Sequence, residues 1–352
     1  MTSVRFDGPA CPLPLDDRER VQLGHGSGGK LSARLLKERF LPHLGNPYLA
    51  RLGDGAVVPV DGGEIVLSTD TFVVSPLEFP GGNIGILAVH GTLNDVAMMG
   101  ARPAYLTAGF VLEEGLELER LERIVASMAR AAQEAGVPLV TGDTKVVERG
   151  KADGLYINTP GVGMRTPGFR PAPDRARPGD VILLSGPLGR HGMAIMAARE
   201  GLSFESAITS DTANLAPLVE RLRRVAGDGI RALRDPTRGG LASALNELAQ
   251  ASKAGMTLRE EALPVPTDVA AACEMLGLDP LYVANEGVLT AIVDPALAEG
   301  ALAALRAHPT GADARIIGAV TAAHPGYVVL ETRIGGSRVV DMLPGDQLPR
   351  IC

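Results

Sequence analysis

The sequence predicts an α/β (α+β) protein of two domains, and three observations carry this. The chain has 352 residues, enough for two domains at roughly 100–200 residues each. Aromatic residues are only 3% and Trp is absent. The core must then be built from Ala, Val, Leu and Ile, which favours helices layered on sheets. Finally, β-branched runs alternate with amphipathic helical periods in both halves, on either side of one turn-rich stretch.

Residues 1–22 read as an irregular N-terminal arm containing Cys11-Pro12-Leu13-Pro14-Leu15. The first domain, 23–165, opens on a glycine-rich loop, His25-Gly26-Ser27-Gly28-Gly29-Lys30, leading into a short amphipathic helix to about Phe40. The run 65–69 predicts a strand ending at Asp70. Gly81-Gly82-Asn83 opens a helix over 84–99, and 105–112 is another strand. Leu118, Leu121, Val125, Met128 and Ala132 recur at helical spacing and predict a helix over 117–135. Strands follow at 137–141, ending at Gly142-Asp143, and at 155–163. The stretch 164–180 holds four prolines and marks the domain boundary. The second domain, 176–340, restarts with a buried strand at 181–184. Helices are predicted around 190–200, 213–224, 240–252 and 268–276, and strands around 281–283, 288–293, 315–320 and 327–330. Residues 341–352 lack periodicity and read as a flexible tail ending in a cysteine.

Gly (43) and Pro (26) are together about a fifth of the chain, against a usual share of about 12%. A GC-rich genome explains part of this total, so the placement of the glycines is the informative part. Net charge is −7 and no basic block stands out, which argues against nucleic acid as a partner. The N-terminus is acidic and lacks a leader pattern, and no apolar run reaches the roughly 18 residues of a membrane span. Cys11, Cys273 and Cys352 build neither a disulfide framework nor a CxxC metal site. A reducing cytoplasm is the expectation.

Four aspartates sit at strand ends or turns: Asp54, Asp70, Asp95 and Asp143. Each alone is a common turn former or cap. Asp95 stands apart, because it lies in an otherwise apolar helix, where a buried carboxylate needs a partner or a metal. Such acids converging at one sheet edge would hold Mg²⁺, which bridges carboxylates and nucleotide phosphates. The loops at 24–30 and at Arg238-Gly239-Gly240 each precede a helix, and bare N–H groups there form an anion site. Taken alone, each pattern is better explained as a plain tight turn, and neither is a Walker A or Rossmann fingerprint. Glu286, in Asn285-Glu286-Gly287, is either a hairpin-turn residue or a carboxylate entering a packed region with a raised pKa. A cysteine as final residue is rare. It cannot be a prenylation box, which needs three further residues, but a thiol on a flexible arm suits an acyl carrier.

Taken together, HGSGGK, LSTDTFVVSP, NDVAMMGARP, VTGDTKVVE, DPTRGGLA, NEG and a terminal PRIC resemble the HypE family of [NiFe]-hydrogenase maturation factors. The match runs in order from about Gly24 to Cys352. The aspartate motifs are shared with the wider PurM-like superfamily of aminoimidazole ribonucleotide (AIR) synthetases, whereas PRIC is not. The resemblance implies a two-domain PurM-like fold whose N-terminal sheet forms a barrel with its dimer mate. It also implies an ATP-dependent carbamoyl dehydratase. Cys352 would receive a carbamoyl group from the carbamoyltransferase HypF and carry it as a thiocarboxamide. The resulting thiocyanate would pass its cyanide to iron on a HypC–HypD complex. Candidate nucleotide ligands are Gly26, Gly28, Gly29, Lys30, Asn94, Asp143, Thr144, Arg238 and Gly239, with Mg²⁺ held by Asp54, Asp70, Asp95 and Asp143.

The chemistry needs a base for the amide protons, assigned to Glu286, and a cation on the transferred phosphoryl group, assigned to Lys145. A terminal thiol beside its own α-carboxylate also needs a nearby cation for activation, with Arg350, a partner's surface and Lys145 as candidates. Two enzyme alternatives are selenophosphate synthetase and thiamin-monophosphate kinase. The first would place its reactive Cys in the N-terminal glycine loop, which here has His25 and Ser27, and the second has no use for a terminal thiol. A metal chaperone or scaffold using Cys352 as a ligand would show no ATP turnover.

Overall fold

The computed structural model describes residues 21, 23–26, 28–201, 208–343, 345, 348 and 350–352. Apart from Val21, the predicted N-terminal arm lies outside the described residues, as does Ser27. A short helix, α1 (Lys30–Leu35), passes through a π turn into α2 (Leu41–Leu44). A hairpin of β1 (Ala56–Val60) and β2 (Gly63–Phe72) follows, then the small ribbon of β3 (Glu78–Phe79) and β4 (Gly82–Asn83). Next come α3 (Ile84–Met98), β5 (Ala101–Glu113), α4 (Leu118–Ala135), β6 (Leu139–Val147) and β7 (Leu155–Arg165). They build a five-stranded sheet in the order β1-β2-β7-β5-β6.

The period-2 pattern sorts the faces of this sheet. In β2, Val66, Ser68 and Phe72 turn inward while Leu67, Thr69 and Thr71 face out. The inner face packs on α3, which Asn83 caps by accepting from the Gly85 and Ile86 N–H groups. Glycines let that helix lie close. A Cβ at Gly163 would stand 2.4 Å from Val96 Cγ1, and one at Gly161 2.7 Å from Thr92 Cγ2. The outer face is open, with Leu67, Tyr105 and Met164 exposed.

The second domain contains β8 (Val181–Leu184), α5 (Arg190–Glu200), α6 (Ala216–Ala226), β9 (Ile230–Arg234), α7 (Gly240–Ser252), β10 (Gly255–Arg259), α8 (Thr267–Leu276), β11 (Thr290–Val293), α9 (Ala298–Arg306), β12 (Arg315–Thr321), β13 (Val328–Glu331) and β14 (Ser337–Val340). Its sheet runs β14-β13-β10-β12-β8-β11-β9. Consecutive residues of β8 feed opposite cores. Ile182 and Leu184 pack with Leu241, Leu245 and Leu248 of α7. Leu183 packs with Leu218 and Leu222 of α6 and Leu302 of α9. The sheet is thus covered by helices on both faces, as its continuous apolar strands require.

Three local expectations change. The strand expected to end at Asp143 runs on to Val147, because it pairs in parallel with β5 along its length. The strand expected at 281–283 is a 3₁₀ turn, Pro280–Tyr282, opened by Asp279, whose side chain accepts from the Leu281 N–H. The end of the tail read as flexible, residues 350–352, is seated against the first domain. The Val73 N–H donates to the Cys352 carbonyl (3.1 Å) and the Ser75 N–H to the Arg350 carbonyl (3.2 Å). Residues 350–352 thereby run alongside the chain leaving β2.

Candidate active site

Asp54 lies ahead of β1, Asp95 on the last turn of α3, and Asp235 just past β9. One carboxylate oxygen from each lies within 4.8 Å of the others. The Ser68 hydroxyl on β2 reaches both Asp95 Oδ2 (2.8 Å) and the Asp54 carbonyl (2.8 Å). Arg234 pairs with Asp54 at 2.7 Å and also with Glu247. Burial, with repulsion from its neighbours, lifts Asp235 to about 8 and holds Asp95 well above the usual carboxylate range. Burial also lifts Asp54 to about 6 despite Arg234. Asp70, two residues past Ser68 and so on the same sheet face, is raised by burial, offset by Arg238 and by a hydrogen bond with Asp95. Crowded carboxylates with raised pKa values, of which Asp54 and Asp95 are only partly buried, match the donors that a hard divalent cation takes. The residues present therefore fit Mg²⁺.

Asp143 is not among them, and the sheet register explains why. Asp70 pairs with Thr159, whereas Asp143 pairs with Gly109, which pairs with Asn158. Adjacent residues of a strand point to opposite faces, so Asp143 lies on the other side of the sheet from Asp70. It is also three strands away, roughly 14 Å at about 4.8 Å per strand. Asp143 is exposed and pairs with Lys145 at 2.5 Å, and the Thr144 N–H donates to it. The Lys145 bond holds its carboxyl below the ordinary value. Within one copy of the chain, Asp143, Thr144 and Lys145 are therefore apart from the acid cluster. Asp235, not singled out from the sequence, joins Asp54 and Asp95; its one signal was its place in Asp-Pro-Thr-Arg-Gly-Gly, the motif of the second glycine loop.

The two glycine loops, about 210 residues apart in sequence, lie against each other. Gly28 has φ +72°, and a Cβ there would stand 2.9 Å from the Arg238 carbonyl. Gly239 (φ +76°) caps the N-terminus of α7. Gly26, Gly29, Arg238 and Gly239 line one cleft with Val73, Ile351 and Cys352. Arg238 also donates to the Gly26 carbonyl at 3.2 Å. Lys30, next to Gly29, is exposed. Its N–H donates to the Leu343 carbonyl (2.9 Å) and its ammonium pairs with Asp341, so it anchors the base of the tail.

The negative charge of Cys352 is the largest influence on Arg238 and raises its pKa, with Asp70, Glu286 and Asp95 adding to it. Arg238 is thus a cation close enough to feel the charge of Cys352. Arg350 is instead turned toward the Val73 carbonyl (3.1 Å) and Asp153.

Glu286 is not a hairpin turn. It is 2% exposed, and burial, with Asp235, Asp211 and Asp70 nearby, pushes its carboxyl well above the usual range. Its Oε1 has no hydrogen-bond partner among the described residues. Its backbone is held firmly. Asp211 accepts from the Glu286 and Gly287 N–H groups (3.2 and 3.3 Å), and the Ala213 N–H donates to the Glu286 carbonyl. Asn285 binds Gly189, Pro236 and Val283. Asn94, expected as a nucleotide ligand, has its side chain engaged by backbone. Its amide is fully buried, donates to the Ala213 and Glu286 carbonyls and accepts from the Leu215 N–H. It clamps α3 to the segments that hold Ala213, Leu215 and Glu286. Asp211 and His191 had no signal in the sequence, because only the fold brings them here.

Residues 52–165 match the N-terminal domain of AIR synthase related proteins and residues 177–331 match the C-terminal domain. The carbamoyl dehydratase HypE of Bradyrhizobium diazoefficiens is 56% identical over 94% of this chain and 96% of its own length. That of Azotobacter vinelandii is 57% identical over 94% and 97%. A crystal structure of HypE in complex with ATP superposes with TM-score 0.80 at 52% identity, covering 95% of this chain and 100% of that one. The HypE–HypF complex gives TM-score 0.84 at 47% identity, covering 88% and 99%. A thiamine monophosphate kinase, 21% identical with TM-score 0.63 over 88% and 99%, shares the fold. The chain belongs to the AIR synthase related proteins and, among them, to the HypE family of hydrogenase maturation proteins.

Proposed function

We propose that this chain is an ATP-dependent carbamoyl dehydratase that works on a carboxamide borne by its own Cys352. The observation that carries this is the seated tail. Cys352 ends in a cleft walled by both glycine loops, with Arg238 facing Cys352, Glu286 and the acid cluster together. Relatives named carbamoyl dehydratase, and a HypE structure holding ATP, support the same reading.

A carboxamide oxygen is a poor leaving group until the γ-phosphoryl of ATP is transferred to it. Forming the C≡N bond then breaks the C–O bond and removes both protons from nitrogen. Thiocarboxamide and ATP thus become thiocyanate, ADP, phosphate and one proton. Glu286 takes a proton from the amide nitrogen, and its raised pKa gives it the basicity to do so. Arg238 offsets charge on the transferred group, the role assigned from sequence to Lys145. Gly26, Gly28, Gly29 and Gly239 let backbone approach the phosphates. Asp54, Asp95 and Asp235, with Asp70 beside them, would hold Mg²⁺, which supplies charge neutralisation at the phosphates.

HypF is the expected carbamoyl donor and HypC–HypD the expected acceptor of the cyanide, in a reducing cytoplasm. Among the described residues, no helix is long and apolar enough to cross a membrane. A second copy is expected on the open sheet face and on the edge strand β6, where Leu139, Val140 and Val146 are exposed. Such an edge is normally covered, and pairing there would bring Asp143, Thr144 and Lys145 toward the partner.

The decisive experiment is the intact mass of the chain after incubation with HypF, a carbamoyl donor and ATP. Gain of one carbamoyl group followed by loss of one water is expected, and a scaffold would show neither. A second expectation separates the acids. Asp235→Asn or Asp95→Asn should abolish the rise in melting temperature that Mg²⁺ adds to ATP binding. Asp143→Asn in a monomeric variant should leave that rise unchanged. Equal Mg²⁺ responses in the parent and Asp235→Asn would remove Asp235 from the metal set.

A further inference from the structure

His191 sits at the start of α5 with no exposed surface. Its Nε2 is 2.9 Å from the Ile351 carbonyl and its Nδ1 2.8 Å from Ser210 Oγ. A carbonyl only accepts, so Nε2 carries the proton and Nδ1 accepts from the Ser210 hydroxyl. That hydroxyl in turn accepts from the Thr212 N–H at 3.1 Å. The Phe79 ring meets the imidazole edge-on, with centroids 5.5 Å apart, and fixes its plane. Burial pushes His191 to about 4, so the ring stays neutral and this order of donors holds at neutral pH.

Ser210 is followed at once by Asp211, whose carboxylate holds the Glu286 and Gly287 N–H groups. The Ser210 N–H donates to the Pro80 carbonyl of the first domain at 2.8 Å. One short turn therefore ties the imidazole to the backbone of the base. The imidazole in turn touches the residue next to the carrier cysteine. Arg199, two turns along α5, donates to the Arg350 carbonyl at 2.8 Å and to the Ser75 carbonyl at 2.7 Å.

We propose that His191, fixed by Ser210, is a positioning residue that sets the register of the carrier arm. The carboxamide on Cys352 reaches Glu286 when the Ile351 carbonyl rests on the imidazole. This rests on the dehydratase reading above. If the arm lifts, a buried N–H is left without a partner, so the ring favours the seated state by about tenfold, the size of one hydrogen bond.

Two measurements on the full chain test it. The first is the rate at which iodoacetamide alkylates Cys352 in the unloaded protein, followed on the C-terminal peptide by mass spectrometry. His191→Leu should raise that rate about tenfold, in proportion to the lost hydrogen bond. His191→Gln, whose amide can still donate to the carbonyl, should stay near the parent. The second is single-turnover dehydration after loading by HypF, which should slow in His191→Leu with carbamoyl uptake unchanged. If His191→Leu does not fold, as judged by thermal melting, Ser210→Ala carries the same expectation at smaller size. Equal alkylation and dehydration rates in the parent and a folded variant would overturn the proposal. A parent that takes up carbamoyl but never loses water would overturn the dehydratase reading, while the alkylation rates would still judge His191.

Discussion

Glu286→Gln is expected to accept a carbamoyl group on Cys352 and then hold it as the thiocarboxamide, with dehydration slowed about 10²–10⁴-fold, the usual cost of losing a general base. The substitution is nearly isosteric and the site is tightly defined. The surrounding backbone bonds to Asp211, Ala213 and Asn94 involve main-chain atoms of 286 and 287 and remain available. The neutral amide also removes a group whose burial among Asp235, Asp211 and Asp70 is unfavourable when charged, so stability should not fall. In the parent the base works only when ionised. Its pKa is raised in the folded protein, so the dehydration rate should climb as pH rises through that raised value and be lost as pH falls through it. The glutamine variant should lose this rise. Thiocyanate forming at the parental rate, measured by intact mass against time, would assign the base elsewhere.

Cys352→Ala should abolish carbamoyl uptake completely while leaving Mg·ATP binding in place, because the acids and glycine loops are built by other segments. A subtler variant tests how closely Cys352 fits its cleft. Its carbonyl accepts from the Val73 N–H, Ile351 is 3% exposed, and the charge of Cys352 faces Arg238. An added residue would move the α-carboxylate away from Arg238 and drive an extra backbone unit into a cleft already lined by Gly26, Gly29 and Gly239. Dehydration by a chain extended by one glycine should fall at least tenfold, the scale expected when a charge-assisted contact of about 1.5 kcal/mol or more is lost. Uptake from HypF should be less affected, because the thiol itself is retained. Equal dehydration by the extended chain would make the terminal position incidental.

How much of this was legible in the residues depended on the range of the interactions involved. The two α/β layers, the helix at Leu118–Ala135 and the helix at Gly240–Ser252 follow from periodicity, because a helix or strand is specified by which of its own faces must be buried. Asp95 could be singled out for a similar reason, since a carboxylate in an apolar helix is conspicuous within a dozen residues. Cys352 and the motifs around the glycine loops were also visible locally, and their combination pointed to the family. Sheet register was not visible. The difference between Asp70 inside the site and Asp143 outside it is one of strand face and strand order, set by the parallel pairing of β6 with β5. Asp235 joins Asp54 and Asp95 only because the second domain presses the end of β9 against α3. Arg238, His191, Ser210 and Asp211 acquire their partners from segments far away in the chain. By itself, then, the sequence determined the layers, the family and the chemistry on offer, all written in short-range pattern. The tertiary structure alone decided which acids come together, which cation lies near Cys352 and where the arm's end rests. Those outcomes depend on desolvation and on distances of a few ångströms, which exist only once the two domains have closed on each other.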